Sequence, residues 1–361
     1  MKFAIALVVV VACSSPQREP IQPSPFVDIT LWQTRSEDVT FGDRKIPGTI
    51  VTPVGDDGPF PAILLLAGSG PTDRDWNSPL IPTKNGSGKL LAERLAQHGA
   101  IVLRFDKAGT GKNPAPPLDQ FTIDTYRDEG LAALALLRSR KDVRADRIFV
   151  AGHSEGGIHA TRLAQVAPDL SGVIYLSAAA RSMADTILTQ LENQFHNPLA
   201  GLSEADIARE LGSIRRVLAD FFAGKQVDPT QASTIPQVQQ LVAQLVNPAT
   251  AKLSRVLLSF DNSLEAPKLA LPTLVIGGGK DVQIDPQLDG ARLEKALRAA
   301  NRQVTVHVAP DADHVLKNEP RSVVEIRKDL NALASHYNAD GRMLDENLVK
   351  AIVDWLLPLT K

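Results

Sequence analysis

A serine set between two glycines is the first feature of the chain whose residue types could do chemistry. Segment 152–156 reads GHSEG, follows the apolar run 148–151 and precedes a stretch with helical spacing. In this pattern a sharp turn between a strand and a helix holds the serine hydroxyl above the end of the strand. A serine hydroxyl is a weak nucleophile at its ordinary pKa, so it requires a base within hydrogen-bond distance. We therefore expect Ser154 to be a nucleophile.

Strands alternate with helices along most of the chain, which predicts a parallel sheet that could position this serine. A predicted hairpin over 37–52 leads into apolar runs separated by helical patterns, and the strand patterns are at 62–67, 100–105, 147–151, 172–177, 272–276 and 304–308. The alternation pauses over 181–268, where the spacing is helical throughout. A closing helix is predicted at 346–357. We expect an α/β core over 37–180 and 269–361, interrupted by a helical cap over 181–268.

The serine turn and the alternation together resemble the α/β-hydrolase family over nearly all of residues 41–357. Segment 68–75, GSGPTDRD, looks like a loop of a bacterial esterase subgroup whose members carry a helical cap. The resemblance implies an α/β-hydrolase fold with a mostly parallel central sheet, flanking helices and the inserted cap. It also implies a carboxylesterase that works through an acyl-enzyme intermediate.

The family orders its triad as nucleophile, acid and histidine, with the acid and the histidine after two late strands. Asp281 directly follows the first strand after the predicted cap, and His314 directly follows the last strand. The resemblance therefore implies that His314 removes the proton from Ser154 and that Asp281 orients the imidazole. Asp285 is the alternative acid.

Acyl transfer also needs donors for the oxyanion, and main-chain N–H groups supply them in this family. The resemblance assigns Glu155, next after the nucleophile, as the first donor. The second comes from the loop after strand 62–67, with Ser69 preferred and Gly70 as the alternative. Pro71 has no N–H and cannot serve. The chain departs here from the His-Gly opening that is frequent in the family, since segment 67–68 reads AG.

Other polar loops have simpler interpretations. Arg74 lies between two aspartates, so it either forms a local ion-pair network at the rim of the pocket or contacts substrate. Gly109 and Gly111 are expected to be turn residues rather than a phosphate cradle. No His/Cys/Asp cluster has the spacing of a metal site. We therefore expect neither a metal nor a cofactor.

The N-terminus predicts export. One positive charge at Lys2 precedes an apolar run far shorter than the ~20 residues that span a bilayer, which is typical of a signal peptide over 1–12. Its end, VVAC, resembles the lipobox of bacterial lipoproteins and implies acylation of Cys13, the single cysteine. Residues 13–36 are proline-rich and predict a tether. We expect anchoring at the bacterial cell envelope through this lipid alone; the alternative is a soluble periplasmic or secreted protein.

Composition limits the partners. The formal charge is −2 and no dense block of Lys or Arg is present, which argues against nucleic acid. The expected substrate is a small acyl ester in an enclosed, largely apolar pocket. Alternatives on the same fold are a thioesterase and a serine aminopeptidase, for which Glu192, Glu204 or Asp220 could bind a peptide terminus. A non-catalytic surface binding protein is a further alternative, and the oligomeric state is left open.

Overall fold

The computed structural model describes residues 31–55, 58–81, 83–197, 200–328 and 330–360. The predicted signal peptide, Cys13 and most of the predicted tether lie outside these ranges. Within them, no helix has the length and the apolar character that would let it cross a membrane.

One eight-stranded sheet forms the centre of the described chain, in the order β1-β2-β4-β3-β5-β6-β7-β8. The pairs β1–β2 and β2–β4 are antiparallel, and all further neighbours from β4 to β8 are parallel. The strands are β1 Gln33–Phe41, β2 Ile46–Val54, β3 Phe60–Leu66, β4 Ile101–Phe105, β5 Val143–His153, β6 Gly172–Leu176, β7 Thr273–Gly278 and β8 Val304–Ala309.

Helices flank this sheet and fill the stretch between β6 and β7. They are α1 Ser87–Gln97, α2 Ile123–Ser139, α3 Gly156–Val166, α4 Met183–Phe195, α5 Glu204–Phe222, α6 Pro236–Leu245, α7 Ala251–Ser259, α8 Asn262–Glu265, α9 Ala291–Ala299, α10 Val323–Lys328, α11 Leu333–Tyr337 and α12 Glu346–Leu356. The predicted α/β class, with a mostly parallel sheet flanked by helices, is confirmed.

The first strand differs from the expectation. It begins at Gln33, inside the range predicted for the tether. Polar residues dominate β1 and most of them are exposed, so the segment lacks the apolar alternation that marks a strand in a sequence. Its pairing with β2 supplies the stabilisation instead, and Trp32 packs edge-on against Phe60 with ring centroids 5.4 Å apart.

Both faces of the sheet are buried, which explains why the central strands read as continuous apolar runs. Successive residues of β3 alternate between two cores: Leu64 belongs to the core with α2 and α3, and Leu65 to the core with α1 and α12. The helices between β6 and β7 have a third core of their own, built around residues such as Leu191 and Val242. We call residues 183–268 the helical insertion.

Hydrogen bonds fix the chain where it enters and where it leaves the helical insertion. At the first end, the carboxylate of Asp289, which is 0% exposed, accepts from the main-chain N–H groups of Ala180 and Arg181 at 3.0 and 3.3 Å. At the second end, the Asn262 amide donates to the carbonyl of Ala179 at 2.8 Å. These bonds tie the two ends of the insertion to the loop after β6 and to the turn that follows β7.

Candidate active site

The turn between β5 and α3 holds Ser154 in a strained conformation. Its φ of 53° lies in the left-handed region, which residues with a side chain rarely adopt. A Cβ at Gly152 would collide with the carbonyl of Gly156, and a Cβ at Gly156 would collide with the carbonyl of Leu66. The two glycines therefore allow the end of β5, the start of α3 and the end of β3 to approach closely. This tight turn projects Ser154 beyond the end of β5.

Asp281 and His314 form a buried pair at the ends of β7 and β8. The His314 Nδ1 lies 2.9 Å from the Asp281 Oδ2, and the exposed fractions of the two side chains are 7% and 0%. The other carboxylate oxygen accepts from the main-chain N–H groups of Gln283 and Ile284 at 2.8 and 2.9 Å. Burial alone would lower the pKa of His314, but the Asp281 carboxylate outweighs it and raises that pKa above its ordinary value.

His153 connects this pair to the serine turn. Burial lowers the pKa of His153 to about 3, so its ring is neutral at physiological pH. Because a carbonyl only accepts, the His153 Nε2–H donates to the main-chain carbonyl of His314 at 2.8 Å, and the two rings lie 4.9 Å apart. Trp76 stacks on the His153 ring with ring centroids 4.5 Å apart. The histidine-bearing loop is thus tied to the residue directly before Ser154.

The other aspartates near this loop have different partners. Asp285, the alternative acid, accepts from the main-chain N–H of Gln287 at 2.8 Å and begins the helical turn 286–290. Asp313 lies 2.8 Å from the guanidinium of Arg342. The structure therefore pairs Asp281, rather than either of these, with the histidine.

A cavity of about 300 Å³ opens beside the serine. Ser154, Glu155, Ser69 and Gly70 all line it, so the predicted nucleophile and the predicted oxyanion donors face the same space. The helical insertion contributes mainly apolar side chains, among them Ile187, Leu191, Leu241, Leu245 and Leu258.

Helix α11, which the sequence patterns did not predict, supplies a further wall. Tyr337 lines the cavity, its ring lies 6.5 Å from that of His314, and its hydroxyl accepts from the Gln283 side chain at 3.1 Å. The helix has only five residues, which is too short for a recognisable period.

Lys107 is a buried cation in contact with the serine turn, and the sequence patterns did not predict this contact. Lys107, 7% exposed, donates its Nζ to the carbonyl of Gly68 and lies 3.3 Å from the Glu155 carboxylate. The same carboxylate oxygen lies 3.3 Å from the Nε2 of His159. Burial alone would raise the pKa of Glu155, but Lys107 and His159 lower it to about 2. Glu155 is therefore ionised and already paired.

Arg74 takes part in an ion-pair network. Its guanidinium lies 3.0 Å from the carboxylate of Asp106, which is not one of its neighbours in the sequence. Asp75, its neighbour, is 2.8 Å from Arg104 instead. Gly111 passes so close to Asp106 that a Cβ there would collide with the carboxylate. These contacts hold the loop after β3 against the loop after β4.

The carboxylates considered for peptide binding lie on the helical insertion. Glu204 is 85% exposed and lies 3.4 Å from His196, and Asp220 lies 2.7 Å from Lys225. Neither they nor Glu192 line the cavity, whose described lining includes one carboxylate, that of Glu155. In the described ranges no group of three or more His, Cys, Asp and Glu side chains is arranged to hold a metal ion.

The sheet order and the serine turn define an α/β hydrolase. Two solved structures share the fold: an esterase from Pyrococcus furiosus (TM-score 0.52, 14% identity, covering 91% of this chain and 92% of that one) and the alpha/beta hydrolase GrgF from Penicillium sp. (TM-score 0.52, 14% identity, covering 91% and 99%).

The family follows from the sequence match. A family model described as serine aminopeptidase, S33, matches residues 86–321, well over half of the chain. The chain therefore belongs to this family of hydrolases. It is also 29% identical over 274 residues to the esterase EstD of Thermotoga maritima, a match that covers 75% of this chain and 58% of that relative.

Proposed function

We propose that this protein is a carboxylesterase-type serine hydrolase, with Ser154 as nucleophile, His314 as general base and Asp281 as the acid that orients it. The observation that carries the proposal is the buried Asp281–His314 pair, 2.9 Å apart and tied through His153 to a strained serine that faces a cavity. A carboxylate on Nδ1 keeps the proton there, which leaves Nε2 as the acceptor that a serine hydroxyl needs.

The reaction follows from these roles. The Ser154 oxygen attacks the ester carbonyl carbon while its proton moves to His314. The carbonyl oxygen becomes an oxyanion that accepts from the main-chain N–H groups of Glu155 and Ser69, with Gly70 as the alternative to Ser69. His314 then protonates the departing alcohol. The acyl group is then bonded to Ser154. Water attacks that acyl carbon while His314 takes its proton; the bond to Ser154 breaks, His314 returns the proton to the serine oxygen and the acid leaves.

The cavity favours esters over peptides. The family description favours an aminopeptidase, which should hold a terminal ammonium against a carboxylate. The one carboxylate in the described lining, Glu155, already balances Lys107 and bonds to His159. Apolar side chains of the helical insertion suit an acyl chain instead, and the similarity to the esterase EstD supports this choice. We infer that the insertion acts as a cap that encloses a small acyl ester.

Thioesters would follow the same steps, because only the leaving atom differs. We therefore retain thioester hydrolysis as a variant of the same proposal, to be separated by the substrate panel below.

Localisation belongs to the same proposal. The apolar N-terminal run and the sequence VVAC that ends at Cys13 support export and lipid attachment at the cell envelope. Globomycin sensitivity of processing and incorporation of labelled palmitate, both lost in Cys13→Ala, test this. Secretion of an unlabelled chain would instead establish the soluble alternative.

A substrate panel tests the chemistry. Purified protein is assayed with p-nitrophenyl esters of increasing chain length, an acyl thioester and aminoacyl p-nitroanilides, and is labelled with a fluorophosphonate. We expect ester turnover and labelling that both disappear in Ser154→Ala and persist in Ser139→Ala, a serine at the end of α2. Anilide turnover without ester turnover would establish the aminopeptidase, and absence of both turnover and labelling would establish a binding protein.

A further inference from the structure

Lys107 contacts both of the segments that supply the proposed oxyanion donors. It follows β4, and its Nζ contacts the Gly68 carbonyl on one side and the Glu155 carboxylate, at 3.3 Å, on the other. The ring of Tyr126 lies beside the ammonium at 5.7 Å. The side chain is thus enclosed between the loop after β3 and the serine turn, and it bonds to both.

The contact with Gly68 sets the direction of a donor. The peptide unit joining Gly68 to Ser69 is planar and trans, so its C=O and its N–H point to opposite sides. A cation bound to the Gly68 oxygen therefore directs the Ser69 N–H away from Lys107, and Ser69 lines the cavity. Polarisation of the peptide by the ammonium also strengthens its N–H as a donor. Rotation of this peptide would break a charge-assisted hydrogen bond of a buried lysine.

The contact with Glu155 secures the second donor. The main-chain N–H of Glu155 is the other proposed donor, and the side chain of the same residue is 9% exposed. Without a cation nearby, an ionised carboxylate here would repel the negative charge that develops on the substrate oxygen. Pairing with Lys107 removes that repulsion and fixes the position of the carboxylate.

We propose that Lys107 is a positioning residue of the oxyanion hole: by binding the Gly68 carbonyl it holds the Ser69 N–H toward the substrate, while it neutralises Glu155. This inference rests on the proposed function. It predicts an effect on the transition state rather than on substrate binding, since the donors act on a charge that exists only there.

Two variants test the orientation of the peptide. Lys107→Met removes the cation, and the double variant Lys107→Met with Glu155→Gln removes it without leaving an unpaired buried charge, so it keeps the test informative if the single variant fails to fold. Arg94→Met is the matched control, because it also removes a partly buried cation, one paired at 2.6 Å with Glu346 far from the serine turn.

Three quantities are measured on each folded variant: kcat for a p-nitrophenyl ester, the inhibition constant of an alkylboronic acid, and the dissociation constant of an unreactive amide of the same chain length. The boronic acid adds to a serine as a tetrahedral anion and so reports the oxyanion hole. We expect kcat to fall about 10- to 1000-fold in both Lys107 variants, with boronate binding weakened in parallel, amide binding within about threefold, and Arg94→Met like the wild type.

Three other results would overturn the proposal that Lys107 positions the oxyanion hole. Recovery of wild-type kcat in the double variant would overturn the proposal, because it would mean that Lys107 only neutralises Glu155. Unchanged kcat in Lys107→Met, or equal losses of boronate and amide binding, would overturn it as well. Undiminished turnover in Ser154→Ala would instead refute the proposed function itself, so the two failures are distinguishable.

Discussion

Replacing Asp281 with asparagine should reverse the hydrogen bond that sets the tautomer of His314. The Oδ1 of Asp281 accepts from two main-chain N–H groups, those of Gln283 and Ile284. An asparagine must keep its carbonyl oxygen there, because its NH₂ group cannot accept. Its NH₂ group then faces the His314 Nδ1, which becomes an acceptor and moves the ring proton to Nε2. In that tautomer the histidine cannot take a proton from Ser154.

The size of the effect follows from the same geometry. Asp281 is fully buried and both of its oxygens have partners, so no rotation of the asparagine side chain restores the correct tautomer without leaving two N–H groups unsatisfied. A wrong tautomer in a catalytic triad costs about 10⁴-fold in kcat. This corresponds to about 5.4 kcal/mol of transition-state stabilisation, at about 1.36 kcal/mol per tenfold change.

The assay is kcat for a p-nitrophenyl ester at a pH well above the pKa of His314, with KM measured alongside. Asp285→Asn is the control, since Asp285 only caps the turn 286–290 and should keep kcat within about threefold. A loss smaller than about tenfold in Asp281→Asn would refute the reasoning. A large loss confined to Asp285→Asn would identify that residue as the acid instead.

Three further predictions concern pH, backbone conformation and a buried ion pair. Although burial alone would lower the pKa of His314, its carboxylate partner raises it, so kcat/KM should rise with pH along a limb whose midpoint lies above 6.5. Gly212→Ala in α5, where a Cβ meets nothing within 4 Å, should raise the free energy of unfolding by about 1 kcal/mol, whereas Gly156→Ala should prevent the serine turn from forming and abolish turnover. Asp289→Ala should lower the free energy of unfolding in urea by about 3–5 kcal/mol because it leaves the guanidinium of Arg181, whose side chain is only 11% exposed, without its carboxylate partner, against less than about 1 kcal/mol for the exposed Asp128→Ala.

Each of these has a contradicting result. A midpoint below 6.5 would mean that the carboxylate does not dominate the pKa of His314. Wild-type turnover in Gly156→Ala would show that the turn tolerates a Cβ. Equal losses of stability in the two aspartate variants would show that Asp289 does not stabilise the segment that leads into the insertion.

Much of the proposed site could be predicted because its residues occupy positions along the chain that match the order of the triad in the family it resembles. Ser154 lies between a strand and a helix, and Asp281 and His314 each follow a strand of a parallel sheet, whose carboxyl ends meet at one edge. The continuous apolar strands required helices on both faces. These features are local or topological, so they can be recognised in the sequence without any interatomic distance. The start of β1 could not be placed in this way, since its polar residues are held by pairing with β2 rather than by burial.

The amino-acid sequence by itself determined the fold class and the presence of a helical insertion, because each depends on patterns along the chain. Through the family resemblance it also suggested the proposed order of nucleophile, acid and histidine. Only the tertiary structure decided that Asp281 rather than Asp285 contacts the histidine, that Tyr337 faces the cavity and that Lys107 binds both Gly68 and the serine turn. Each of these depends on a contact between segments distant in sequence. Such contacts are set by the packing of the loops, and no local pattern of residues encodes that packing.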